Sequence, residues 1–249
     1  MKDKDLGLQL ISSIKGKRIE EINWLLENPN TDLNAQDEGG CTPLHWAFFK
    51  KDNALFIKLL QKGVNMDEKD KDGYSVLHFA CIRGDVEIIK ALIEYKADVN
   101  IRDNQKMSPL HYACIKNNTE AMNILIDSEG FEAKALDISL QKVFTKVWKN
   151  GHKNGHKDIV QKLIEDGMKP SVEFMWFLWS NDGRDIVQKS AKITQEENIK
   201  FVISVLAQDV GIIQNEEIYQ YSETKEEDDL NSMGDNKNYQ YYEDSDSLE

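Results

Sequence analysis

Three of the chain's five histidines recur at equal spacing: His45, His78 and His111 stand 33 residues apart. Each follows a hydroxyl residue by three positions, namely Thr42, Ser75 and Ser108. Imidazole serves both as a metal ligand and as a general base, so a recurring His invites a metal-binding or catalytic reading. The recurrence itself argues against both, because equivalent residues of successive stacked units sit a helix spacing apart and cannot converge on one ion. His152 and His156 are four apart, but Gly151 and Gly155 argue against a helix there, and no Glu follows His152 as a zinc-protease pattern requires. With no glycine-rich phosphate loop and no Gly-x-Ser-x-Gly elbow, the sequence assigns no catalytic, metal or cofactor residue, and a non-enzyme is expected. Among the thiols, Cys81 and Cys114 sit beside Ala80 and Ala113, where a small packing residue fits. Cys41 falls at a more variable position and is expected to be the exposed one, an ordinary thiol with no adjacent base.

The histidines belong to a longer pattern. Thr42-Pro43-Leu44-His45-Trp46-Ala47, Ser75-Val76-Leu77-His78-Phe79-Ala80 and Ser108-Pro109-Leu110-His111-Tyr112-Ala113 return hydroxyl, Leu, His, aromatic and Ala in register. A fixed period over three copies belongs to stacked units that bury their faces only against neighbours. The hydroxyls suit helix N-caps, and Pro43 and Pro109 suit the first helical position, where no amide bond is lost. Leu44, Leu77 and Leu110, each with Ala three residues on, form an apolar stripe that lets helices approach closely. Second helices are predicted to open at Asp52-Asn53, Asp85 and Asn118-Thr119, with Glu87 and Glu120 in first turns where the helix dipole favours acid. They end in Leu59-Leu60, Leu92-Ile93 and Leu125-Ile126, ahead of loops marked by Asp70, Asp103 and Asp137.

These residues, and above all Gly84-Asp85-Val86-Glu87-Ile88-Ile89 followed by Ala97-Asp98-Val99-Asn100, resemble the ankyrin-repeat family over about residues 30 to 140. The resemblance implies an all-α solenoid of helix-turn-helix units joined by hairpin-like finger loops. It also implies that the recurring His makes structural hydrogen bonds tying turn to helix. Two positions depart from the family: Lys96 stands where Gly is usual, and Asp67 where Asn is usual.

Outside the repeats, residues 1–37 read as an N-terminal capping repeat. Leu6, Leu8, Leu10, Ile11 and Ile14 mark one helix, Ile19, Ile22, Leu25 and Leu26 the next, with Lys15-Gly16-Lys17-Arg18 as the turn and polar residues on the other faces. Three repeats fill 38–137. A degenerate fourth, 138–170, keeps Phe144, Val147 and Trp148, then carries the near-tandem Gly151-His152-Lys153-Asn154 and Gly155-His156-Lys157-Asp158, read as an insertion lengthening the inter-helix turn. Lys142, Lys146, Lys149, Lys153, Lys157 and Lys162 form a basic cluster, taken as a solvated face; no aromatic ladder for nucleic acid is interleaved. A helical C-terminal cap is predicted over 171–213, using Phe174, Met175, Phe177, Leu178, Ile186, Val187 and Ile193, then an amphipathic helix from Asn198 to Val210. The last segment, 214–249, is acidic, rich in Tyr and expected to be disordered. It is otherwise a tyrosine-phosphorylation motif or an autoinhibitory segment for the Lys cluster.

The net charge of −13 is concentrated at the C-terminus: Lys and Arg against Asp and Glu number 28 and 29 over residues 1–194, but 3 and 15 over 195–249. Three cysteines, an odd number, and no apolar leader point to a reducing compartment and a cytoplasmic location. The longest apolar runs, Phe174–Trp179 and Ile199–Leu206, are too short to span a bilayer.

The resemblance implies an adaptor, scaffold or inhibitor that binds a partner protein through finger tips and the inner face of the first helices. Carried over by position, this gives three rows: Cys41, Tyr74 and Met107; Phe49, Ile82 and Ile115; Lys50, Arg83 and Lys116. A partner with an acidic rim and an apolar centre would suit them, and a monomer is expected. The alternative for the middle row is packing between successive first helices. A Lys-, Asn- and Ile-rich composition also admits a bacterial effector acting on host proteins, in the host cytoplasm; an enzyme with its site in the C-terminal region is the remaining alternative.

Overall fold

Helices of seven to nine residues are too short to hold themselves in water, so each must be capped locally and buried on several sides. The computed structural model describes residues 3–133, 138–149, 153–181 and 183–187. Among these there are eleven helices, a further helical stretch at 184–187 and no strand, the only bridge being an isolated parallel one between Asp3 and Thr31. The first unit, residues 1–159, holds α1 (Lys4–Lys15), α2 (Ile19–Glu27), α3 (Pro43–Phe49), α4 (Asn53–Gln61), α5 (Val76–Arg83), α6 (Val86–Glu94), α7 (Pro109–Ile115), α8 (Thr119–Ile126) and α9 (Ile138–Lys149). α10 (Lys153–Glu165) begins in the first unit and ends in the second.

Within the first unit the odd helices form one layer, α1 against α3, α3 against α5, α5 against α7 and α7 against α9. α1, α3, α5 and α7 each pair with the even helix that follows, and α6 also meets α8. The stripe of Leu and Ala explains this arrangement. Leu44, Ala47, Leu77, Ala80, Leu110 and Ala113 are almost fully buried between neighbours. α4, α6 and α8 are capped as their sequences require: Asp52, Asp85 and Asn118 side chains accept the N–H groups of Leu55, Ile88 and Ala121 at 2.9, 3.2 and 2.9 Å.

The loops between units are tied to one another by a side-chain ladder. Asn34, Asp67 and Asn100 accept the backbone N–H groups of Asn65, Asp98 and Glu132 in the next loop at 2.8, 3.0 and 3.0 Å. Tips of successive fingers stack backbone on backbone. Lys71 N–H donates to the Gly39 carbonyl and Asn104 N–H to the Asp72 carbonyl. A Cβ on Gly40 or Gly73 would fall within 2.8 and 2.5 Å of the next finger's backbone, so both glycines are required by the stacking.

Two expectations about the ends change. The capping repeat is not wholly polar outside, since Ile19 is 71% and Trp24 57% exposed. The duplicated segment is not all turn: α10 starts at Lys153 and runs through Gly155 and His156. One glycine costs a helix only about 1 kcal/mol, which burial outweighs here, because His156 is fully buried against the edge of the Phe144 ring and Ile159 is buried beside it in the chain.

In the second unit, α11 (Val172–Ser180) is capped by Ser171, whose hydroxyl accepts Phe174 N–H at 3.2 Å. The chain turns at Gly183, whose N–H reaches the Leu178 carbonyl, and 184–187 is helical. Asp137, His152, Ile193, the predicted helix from Asn198 to Val210 and the acidic segment 214–249 lie outside the described residues.

Candidate partner-binding surface

Each finger is built on one aspartate. Asp37 Oδ1 accepts Gly39 and Cys41 N–H at 2.9 and 3.0 Å; Asp70 Oδ1 accepts Asp72 and Tyr74 N–H at 3.0 and 2.8 Å; Asp103 Oδ1 accepts Gln105 and Met107 N–H at 2.8 and 2.9 Å. A short carboxylate satisfying two turn amides is the usual reason for Asp at such a corner.

The recurring His fastens each finger to the next unit. Nδ1 of His45, His78 and His111 accepts the backbone N–H of Thr42, Ser75 and Ser108 at 3.2, 3.1 and 3.1 Å, and lies 2.9, 3.0 and 2.8 Å from their hydroxyls. That bond leaves the proton on Nε2, which in His45 donates to the Tyr74 carbonyl at 3.2 Å and in His78 to the Met107 carbonyl at 3.1 Å. Burial keeps both rings neutral, lowering His45 to about 4 and His78 to about 3. Both nitrogens are thus occupied by the backbone, which accounts for the residue without a ligand.

The first helices have almost no free side. All of α3 is buried, as are Val76–Cys81 of α5 and Pro109–Cys114 of α7. What stays accessible lies at their C-terminal ends and in the turns that follow. There a recess of about 610 Å³ is lined by Ile82, Arg83, Gly84 and the stretch 116–120.

A family described as ankyrin repeats (3 copies) matches residues 49–137, and one described as ankyrin repeats (many copies) matches residues 12–58. The chain belongs to the ankyrin-repeat family. The two matches overlap over residues 49–58, from the end of α3 into α4, and carry the family back into the N-terminal helix pair. A comparison with curated proteins finds no significant match. Ankyrin repeats generally mediate protein–protein interactions.

In this ankyrin-repeat protein the three expected rows divide unequally. Cys41, Tyr74 and Met107 are buried, and the expectation that Cys41 is the exposed thiol is overturned. They are joints: each carbonyl closes its own finger on the Asp N–H, and two of them also receive the His proton. Phe49 is also buried, edge-on to Phe79 at 4.9 Å and Trp46 at 5.6 Å, in the packing between α3 and α5. Ile82 and Ile115 are half-buried at the surface.

The cations differ as well. The Arg83 guanidinium lies 3.4 Å over the Phe48 ring, donates to the Phe48 carbonyl at 3.1 Å and pairs with Asp85 at 3.2 Å, so it satisfies the C-terminal end of α3. Lys50 is half-buried and Lys116 exposed. The recess brings together Ile82, Arg83 and Lys116, three of the nine expected residues.

Sequence reading missed one group. Lys15 Nζ sits 4.0 Å over the Trp46 ring and 2.9 Å from Asp37, which also accepts the Trp46 indole N–H at 2.9 Å. Burial works against the Asp37 carboxylate, but Lys15, Trp46 and the Cys41 amide outweigh it and hold its pKa below the usual range. The nine-residue spacing of Asp37 and Trp46, repeated at Asp103 and Tyr112, is the signal that could have found it.

Proposed function

We propose that this chain is a non-catalytic adaptor, scaffold or inhibitor that holds a partner protein at the C-terminal ends of α5 and α7. The observation that carries the reading is the recess beside Ile82 and Lys116, the accessible remnant of a helix layer otherwise closed by its own packing. Half-buried aliphatic side chains beside an exposed ammonium suit a partner with an apolar contact flanked by acid. Truncating a well-seated anchor at such a site costs binding about 2 kcal/mol or more. Three buried cysteines, none of them in a disulfide, fit a chain working in a reducing compartment.

The test is affinity capture from lysate with the intact protein and with Lys116→Glu and Ile82→Glu, after circular dichroism confirms that the variants fold. A partner held by the intact protein and lost by both variants supports the reading. A partner held equally by all three moves the interface to the finger tips, and the recess is then not the site.

A further inference from the structure

The three finger aspartates do the same work with Oδ1 and differ at the other oxygen. Asp37 receives the Trp46 indole N–H and Lys15, and Asp103 receives the Tyr112 hydroxyl at 2.5 Å. At the equivalent repeat position, nine residues after Asp70, stands Phe79, which has nothing to donate. Among the described residues no side chain donates to Asp70. We propose that Asp70 is a proton-operated latch on the central finger, left open by a phenylalanine where the neighbouring repeats supply a donor.

Asp70 is only 7% exposed. Burial of the charge pushes its pKa up to about 6, and Asp72 on the same turn adds repulsion that the Tyr74, Asp72 and Gly73 amides do not cancel. The other ionisable groups around it give no relief. Finger 1 meets it with the backbone at Gly40. Lys69 of its own loop is turned onto the Arg102 carbonyl. From the next unit, Asp103 and Tyr112 face it through the Tyr74 phenol, whose oxygen is 3.1 Å from that of Tyr112. α5 brings the Phe79 and His78 rings against Tyr74, at 5.2 and 5.8 Å between centroids, and burial keeps His78 neutral.

The sign follows from the direction of the shift. A carboxyl raised in the folded chain takes its proton from solution before an unfolded one does, so at this residue acidification favours the fold, and neutral pH removes that gain. Protonation turns one carboxylate oxygen from an acceptor into a donor. Finger 2 then loses one negative charge while Asp37, held low by Lys15, keeps its own.

The experiment is a carbon-13 carboxyl titration of the full chain, with Asp70 assigned through its own backbone, in the wild type, Asp70→Asn and Phe79→Tyr. The expected result is a midpoint near 6 for Asp70, absent in Asp70→Asn, that falls by about one unit or more in Phe79→Tyr, a tenfold change in proton affinity. A wild-type Asp70 midpoint in the ordinary range near 4 overturns the proposal, and so does a folded Phe79→Tyr with the midpoint unmoved. The wild-type titration decides by itself if a variant does not fold. It involves no partner, so its outcome is independent of the binding reading above.

Discussion

Acidification from about pH 7.5 to about pH 5 should destabilise the repeats through His45 and His78. Both are buried, both use Nδ1 as an acceptor of a backbone N–H, and neither can take a second proton without breaking that bond. Their folded values, about 4 and about 3, lie below the value near 6.5 of an unfolded histidine. Stability from such groups is complete above the unfolded value and is lost as pH falls toward the folded one. At about pH 5 the unfolded chain is protonated at both sites and the folded chain at neither, a loss of about 2 kcal/mol per histidine. Asp70, with its opposite sign, offsets part of this, leaving a net loss of about 3 kcal/mol against a typical domain stability of about 5 to 15 kcal/mol. Urea unfolding followed by circular dichroism at several pH values measures it. His78→Asn should be less stable throughout yet lose about 2 kcal/mol less on acidification. A flat pH profile in the wild type, or the same slope in His78→Asn, would refute the clamp as the source.

Other substitutions test other parts of the structure. Lys96 holds a left-handed φ of 69° that Gly63 occupies one unit earlier, so Lys96→Gly should stabilise by about 1 kcal/mol, seen as a higher melting temperature. Its exposed pairing with Glu129 adds little to set against that. Asp67→Asn keeps the acceptor for Asp98 N–H and removes a carboxylate whose pKa is raised by burial and by Asp98 and Glu68; it should match or exceed wild-type stability at neutral pH, the gain vanishing in acid. Phe49→Ala should cost about 3 to 5 kcal/mol in unfolding free energy, whereas Ile82→Ala and Ile115→Ala should cost about 1 kcal/mol. Equal costs for all three would mean that Ile82 and Ile115 are core as well.

Much of the local structure was readable residue by residue. The hydroxyl, Pro, Leu, His, aromatic, Ala order predicts a capped helix with a buried stripe, and α3, α5 and α7 begin where it places them. Asp52, Asp85 and Asn118 cap the helices they were expected to cap. Such features depend on contacts within a few residues, so the chain itself carries them. The candidate surface was less readable. Position in a repeat distinguishes rows along a helix but not how far a side chain reaches into the next unit. Tyr74 and Met107 therefore looked like surface residues and are joints, and Arg83 looked like a partner anchor and closes α3.

The sequence by itself determined that this is a stack of 33-residue ankyrin units, because a pattern that returns in register must bury equivalent faces against equivalent neighbours. It also determined that the recurring histidines cannot share an ion. The tertiary structure decided which side of each first helix remains open, and it left only the C-terminal ends with the turns beyond them. It decided too that Asp37, Asp70 and Asp103, identical as letters, differ in what meets their second oxygen. The first outcome depends on side chains brought together from different units and the second on how each finger folds back over its own helix, and burial is a property of those meetings.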